Sequence, residues 1–192
     1  LHFCNMIFQQ FQKKLETDFL MGSCIFLFAH QDDEVGIIAL IKRKIDQGAN
    51  VICVFATNGG KKFISRNKES LSVLNNVGVK SKNILFVGES ENFMDGYLSK
   101  KAISLKKWLT EFFLSIKDID SVYVTAYEGG HQDHDALHYI SVTALSELNL
   151  LEKLYQFPLY NKYNCLGPFF RVLKPLSENG VTIDFELTIL ER

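Results

Sequence analysis

Residues 24–34 read Cys24-Ile25-Phe26-Leu27-Phe28-Ala29-His30-Gln31-Asp32-Asp33-Glu34, an unbroken apolar run that gives way to an unbroken polar one. An apolar run of this length fits a strand buried on both faces, the kind found in parallel sheets. Working outward, Val35–Gln47 repeats apolar residues at helical spacing. Val51–Thr57 predicts a second strand, followed by a Gly59-Gly60 turn and a helix across Arg66–Val77. Ile84–Val87 reads as a third strand, and Lys100–Ile116 as a helix with Ile103, Leu105, Leu109, Phe112 and Phe113 on its apolar side. Ser121–Ala126 and Asp133–Leu148 predict a fourth strand and its helix. Leu154–Phe157 and Val181–Leu190 predict later strands, with a Gly-Pro-containing segment between them.

Strands alternating with helices imply an α/β fold with a mostly parallel sheet covered on both faces and a more irregular C-terminal part. Without a linker, repeat or low-complexity tract, residues 1–192 are expected to form one domain. Its parts would be an N-terminal extension or helix at 1–20, a core at 22–160 and C-terminal strands in 161–192. Ligands of open parallel sheets bind beyond the C-terminal strand ends. That rule marks the segments after Ala29, Thr57, Gly88 and Ala126.

Bulk properties narrow the function. A chain of 192 residues supports a sizeable core, and a formal net charge of −1 gives no reason to expect nucleic acid as a partner. The lysines at Lys61–Lys62 and Lys100–Lys107 read as solvated surface. Cys4, Cys24, Cys53 and Cys165 form no CxxC pair, which fits free thiols in a reducing compartment. No stretch is long and apolar enough to span a bilayer, and residues 1–20 lack the features of a signal peptide, so a cytoplasmic protein is expected. The aromatic residues near Phe157–Tyr163 and Phe169–Phe170 leave a pocket, a homo-oligomer interface or core packing open.

Two marked segments carry chemistry. His30, Asp32, Asp33 and Glu34 crowd like charges where the first strand ends. Acidic residues there can cap a helix, whereas a metal ion would neutralise the cluster, with His30 and Asp33 facing it and Asp32 turned toward a bound water. The segment Tyr127-Glu128-Gly129-Gly130-His131-Gln132-Asp133-His134 closes the fourth strand. Its glycines allow a sharp turn and close approach to a ligand. One histidine could ligate a metal while the other is held by a carboxylate in one tautomer; the plainer alternative is a pair of surface histidines beside a capping Asp. Two histidines and one carboxylate form the ligand set of catalytic zinc and equally of non-haem iron oxygenases. A spare carboxylate and a spare histidine favour hydrolysis, which needs a base for water and a group for the oxyanion and leaving amine. A dinucleotide-binding protein is disfavoured because no GxGxxG follows the first strand.

Ala29-His30-Gln31-Asp32-Asp33-Glu34 followed by Gly36 resembles the AHPDDE signature of the LmbE/PIG-L family, and Gly129-Gly130-His131-Gln132-Asp133-His134 resembles its later HPDH signature. Thr57-Asn58-Gly59, Arg66 with Glu69, and Met94-Asp95-Gly96-Tyr97-Leu98 match further landmarks in order, so the likeness runs from about Cys24 to Tyr160. The resemblance implies a Rossmann-like three-layer fold and a zinc-dependent deacetylase acting on N-acetylglucosamine-type conjugates. Carried over by position, it implies His30, Asp33 and His134 as zinc ligands, with ferrous iron an alternative metal. It implies Asp32 as the general base, His131 oriented by Asp133 at the oxyanion and leaving nitrogen, and Arg66 and Asp95 at sugar hydroxyls. The expected partner is a small amino-sugar conjugate. The competing reading is a non-catalytic sugar- or nucleotide-binding module on the same fold. Gln31 and Gln132 stand where the signatures carry proline; neither proline is a ligand, so the change bears on loop rigidity.

Overall fold

The computed structural model describes residues 22–184 together with 186 and 187. The expected extension or helix at 1–20 lies outside the described residues. Strand β1 (Ser23–Phe28) is apolar on both faces and accordingly sits in the middle of a five-stranded parallel sheet. β2 (Asn50–Phe55), β3 (Ile84–Phe86), β4 (Ile119–Thr125) and β5 (Leu154–Phe157) complete it in the order β3-β2-β1-β4-β5. Cys24 pairs with Val51 on one side and with Ser121 on the other.

The period-two alternation of β1 divides the core. Cys24, Phe26 and Phe28 pack with Ile41 of α1 (Ile38–Asp46) and Leu74 of α2 (Phe63–Asn76). Ile25, Leu27 and Ala29 face the opposite layer. A four-residue helix, α3 (Val87–Ser90), follows β3, and the chain then crosses to that layer. There α4 (Ala102–Ser115) contributes Leu105, Leu109 and Phe113, and α5 (Gln132–Glu147) contributes Leu137, Ile140 and Ala144. Each large side chain so buried contributes about 1.5–3 kcal/mol. The result is the expected α/β three-layer, Rossmann-like arrangement. Because the chain winds from β1 through β2 to β3 and returns to β4 on the other flank of β1, the helices that follow β1 and β4 lie on opposite faces of the sheet, while the loops leaving the two strands stay neighbours. They open the crevice in which such sheets bind ligands.

Several expectations need correction. Ile103 is 89% exposed and does not belong to the apolar side of α4, whose buried positions are Leu105, Leu109 and Phe113. The first helix does not start at Val35; Asp33–Gly36 forms a 3-10 turn and α1 begins at Ile38. Gly36 packs against the side chain of Leu159, whose Cδ2 would lie 2.4 Å from a Cβ there. No strand forms at 181–184, the described start of the expected Val181–Leu190 strand. Val181 and Ile183 are exposed there, so partial alternation met no surface to bury against; residues 185 and 188–190 lie outside the described residues. Within 161–192 the described strands reduce to a two-stranded antiparallel ribbon, β6 (Tyr160–Asn161) with β7 (Arg171–Val172). Among the described residues no helix is long and apolar enough to cross a membrane.

Candidate metal centre and active site

The two signature segments, over a hundred residues apart in sequence, meet because β1 and β4 are neighbours. His30 Nδ1 lies 3.3 Å from His134 Nε2, and Asp33 Oδ1 lies 3.2 Å from the same His134 nitrogen. Asp33 Oδ2 is 3.8 Å from His30 Nδ1. Ligands of a tetrahedral ion at zinc–nitrogen distances of about 2.0–2.1 Å stand about 3.3 Å from one another. The two imidazole nitrogens have that spacing, and Asp33 meets the two rings through different oxygens, Oδ1 toward His134 and Oδ2 toward His30. All three residues are buried, so their convergence is imposed by the fold. His131 brings a further ring nitrogen within 4.8 Å of those of His30 and His134.

The far nitrogen of His30 is also engaged. Its Nε2–H donates to Asp133 Oδ2 over 3.2 Å, leaving the Nδ1 lone pair on the side of Asp33 and His134. A carboxylate behind a ligating histidine fixes its tautomer and raises its basicity. Asp133 is itself held: Gly96 N–H donates to Oδ2 over 2.6 Å and Leu98 N–H to Oδ1 over 3.0 Å. The Asp133 carboxylate, expected beside His131, is hydrogen-bonded here to His30, from the other signature. His131 instead accepts the main-chain N–H of Asp133 on Nδ1, at 3.2 Å, as the N-cap of α5.

The electrostatics follow. Burial opposes charge on His30, but the Asp133 hydrogen bond and the carboxylates of Asp33, Asp95 and Asp133 outweigh it and raise its pKa. Burial works against ionisation of Asp33 too, yet the bond and charge of His134, with those of His30, hold it below the usual carboxylate range. Asp133 is lowered against its burial by His30 and by the Leu98 and Gly96 N–H groups. His131 is pushed down by burial and by His30 and His134, which favours the neutral ring. With Nδ1 accepting, that ring carries its proton on Nε2.

Asp32 is placed differently from its neighbours. Its carboxylate is 68% exposed on the cleft and takes the Arg66 Nη2 donor at 2.6 Å, while its backbone has φ 118°. Non-glycine residues rarely adopt that conformation, and it clusters at functional sites. Arg66 Nη1 also lies 3.8 Å from Asp95 Oδ2, and Asp95 Oδ1 lies 3.4 Å from His30 Nε2. Arg66 and Asp95 thus form an ion pair and line the cleft together. The eight residues named for the site, His30, Asp32, Asp33, Arg66, Asp95, His131, Asp133 and His134, lie in one region.

The cleft measures about 550 Å³, and part of its wall comes from the 157–163 stretch, for which a pocket is one of the three readings the sequence leaves open. Leu159, Tyr160, Val172 and Leu173 line it opposite Asp32, Arg66 and Asp95. A signal for the pocket was available: Leu159 and Tyr160 follow the C-terminal end of β5, where the strand-end rule applies as it does to the other strands. Burial and the nearby carboxylates push the Tyr160 hydroxyl up to about 12. Glu128 fixes this wall by accepting from Leu159 N–H at 2.9 Å and Asn161 Nδ2 at 3.2 Å. Gly130, expected to admit a ligand, instead admits Tyr160, whose carbonyl oxygen would lie 1.9 Å from a Cβ there.

A family model described as PIG-L, GlcNAc-PI de-N-acetylase, matches residues 25–145. No curated protein matches the chain. Among solved structures, a triple mutant of a deacetylase of the teicoplanin biosynthetic pathway superposes with a TM-score of 0.60 at 18% identity, over 71% of this chain and 63% of that one. The zinc-inhibited form of teicoplanin deacetylase Orf2 gives 0.60 at 14% identity, over 71% and 67%. The N,N'-diacetylchitobiose deacetylase from Pyrococcus horikoshii gives 0.51 at 20% identity, over 73% and 60%. The chain thus spans less than two thirds of the first and third of these proteins. At such identities the likeness establishes the fold.

Proposed function

The chain belongs to the GlcNAc-PI de-N-acetylase (PIG-L) family, and from that premise we propose that it is a zinc-dependent amide hydrolase that removes an acetyl or other acyl group from an N-acetylglucosamine-type conjugate. The observation that carries the reading is the buried gathering of His30, Asp33 and His134, the two rings 3.3 Å apart and each within 3.2–3.8 Å of one Asp33 oxygen, beside a cleft that also presents Asp32 and His131. That donor chemistry, two imidazoles and a carboxylate buried together with Asp133 behind one ring, fits a catalytic zinc ion. Ferrous iron accepts the same set. A bound zinc supplies Lewis acidity, polarising the amide carbonyl and bringing water toward a pKa of about 7.

The chain's own residues supply the rest. Asp32, open to the cleft, takes the proton of the attacking water, and Arg66 fixes the position of its carboxylate. His131 offers Nε2–H to the developing oxyanion, since its Nδ1 is already accepting a main-chain N–H. Asp32 then returns the proton to the departing amine. Arg66 and Asp95 stand at the cleft edge as partners for sugar hydroxyls, with Tyr160 and Leu159 forming a floor for the apolar face of a sugar ring.

The test pairs metal content with amine release from N-acetylglucosamine conjugates, for wild type and His134→Ala, after loading with zinc and separately with ferrous iron. The expected result is about one metal ion per chain, with release lost together with the metal in the variant. Bound metal without release from any amide would replace hydrolysis by the binding-module reading. Failure to bind either metal would remove the basis of the reading altogether.

A further inference from the structure

The loop that carries Asp32 is gripped by three side chains of α2, Arg66, Asn67 and Ser70. Gln31, 1% exposed, donates through Nε2 to Asn67 Oδ1 at 2.7 Å and to the Thr57 carbonyl at 3.2 Å. Asp32 pairs with Arg66. Glu34, 3% exposed, takes the Asp32 main-chain N–H at 2.8 Å and the Ser70 hydroxyl on its carboxylate. Ser70 lies three residues after Asn67 and four after Arg66, the spacings at which helix side chains are neighbours. The amide of Asn67 is oriented in turn, because its Nδ2 donates to Glu89 Oε2 at 2.7 Å and leaves Oδ1 for Gln31. Gly59 completes the slot: a Cβ there would sit 2.4 Å from Gln31 Oε1.

What this clamp holds is the φ of 118° at Asp32, a conformation costing about 1–3 kcal/mol that persists only when its surroundings over-determine it. A proline before Asp32 would restrict the chain covalently; this chain has a glutamine whose side chain must be anchored elsewhere. We propose that Gln31, Asn67, Glu34 and Ser70 are positioning residues which, through α2, hold the backbone of Asp32 so that its carboxylate stands in the cleft, with the Gln31–Asn67 bond doing here what proline would do. The catalytic part of this inference rests on Asp32 acting as the base.

The experiment compares Gln31→Ala, Asn67→Ala, the double variant, and Asn67→Ala placed in a Gln31→Pro background. Hydrogen exchange by mass spectrometry follows the segment 29–35 in the metal-free protein, and kcat and KM are measured after zinc loading. Loss of the clamp should speed exchange in 29–35 by about tenfold or more, with β4 and α5 unchanged. It should lower kcat by about tenfold to a hundredfold with KM and bound zinc unaltered. The double variant should be no worse than either single one, and Asn67→Ala should have little further effect once residue 31 is proline. Unchanged exchange in 29–35 for Asn67→Ala would overturn the proposal. So would faster exchange across β4 and α5, which would mean general destabilisation. A wild type inactive on every amide would sink the hydrolase reading, while the exchange comparison still decides whether the clamp exists.

Discussion

Asp133→Asn separates the tertiary arrangement from the arrangement expected from sequence. The Asp133 carboxylate accepts three hydrogen bonds: His30 Nε2 and Gly96 N–H on Oδ2, and Leu98 N–H on Oδ1. A carboxamide of the same shape has one oxygen. Keeping it at the Oδ2 position preserves two bonds and turns an NH2 group toward Leu98 N–H, whereas the opposite rotamer loses two. The first is therefore favoured, leaving the Leu98 N–H and the new NH2 group facing each other without an acceptor, at a cost of about 1–3 kcal/mol for each buried donor left unpaired. In a chain of this size that lowers Tm by roughly 2–4 °C per kcal/mol. The charge behind His30 also disappears, so His30 becomes a poorer ligand. Loss of such an outer partner weakens metal binding by about 10- to 100-fold, or about 1.4–2.7 kcal/mol. A competition titration against a chromogenic zinc chelator, for wild type and variant, reads this directly. If zinc affinity stayed within about twofold while kcat alone fell, Asp133 would act on His131 after all, and the assignment of its carboxylate to His30 would be refuted.

Asp32→Asn should keep zinc, since Asp32 is outside the donor set and Asn tolerates positive φ, while kcat falls by roughly 10²- to 10⁴-fold; near-native turnover would reassign the base. Arg66→Ala should lower Tm by only a few degrees, because its ion pairs are half-buried at an open cleft where solvent still screens them. Its KM should rise by about tenfold or more if the guanidinium also holds a sugar hydroxyl, and steady-state kinetics with an unchanged KM would remove it from substrate contact. Gly130→Ala should displace the Tyr160 main chain, given the 1.9 Å approach, and destabilise the protein by more than about 1 kcal/mol in urea titration. A neutral result would mean that the β5–β6 segment is free to move away from the metal centre.

Some of this was legible locally. The run Cys24–Ala29 could be read as a buried parallel strand because its hydrophobicity is continuous, and such a strand in turn marks its C-terminal end as a ligand site. Hence His30, Asp32, Asp33, His131, Asp133 and His134 could all be named from their place after strands. The failures are as specific. Val181 and Ile183 had a strand-like spacing but no surface to cover, and Ile103 had a helical spacing but faces solvent.

The sequence by itself determined the elements, their alternation and the polar clusters at the strand ends, because each depends on neighbours within a turn or a few residues. The tertiary structure decided which donors share a metal, and it put Asp133 behind His30, 103 residues away, where adjacency in sequence suggested His131. It also anchored Gln31 on Asn67 and brought Tyr160 over Gly130 to wall the cleft. These contacts follow from strand order and helix packing. A hydrogen bond or close approach between distant segments is fixed only once the sheet has set β1 beside β4 and α2 beneath the loop between them.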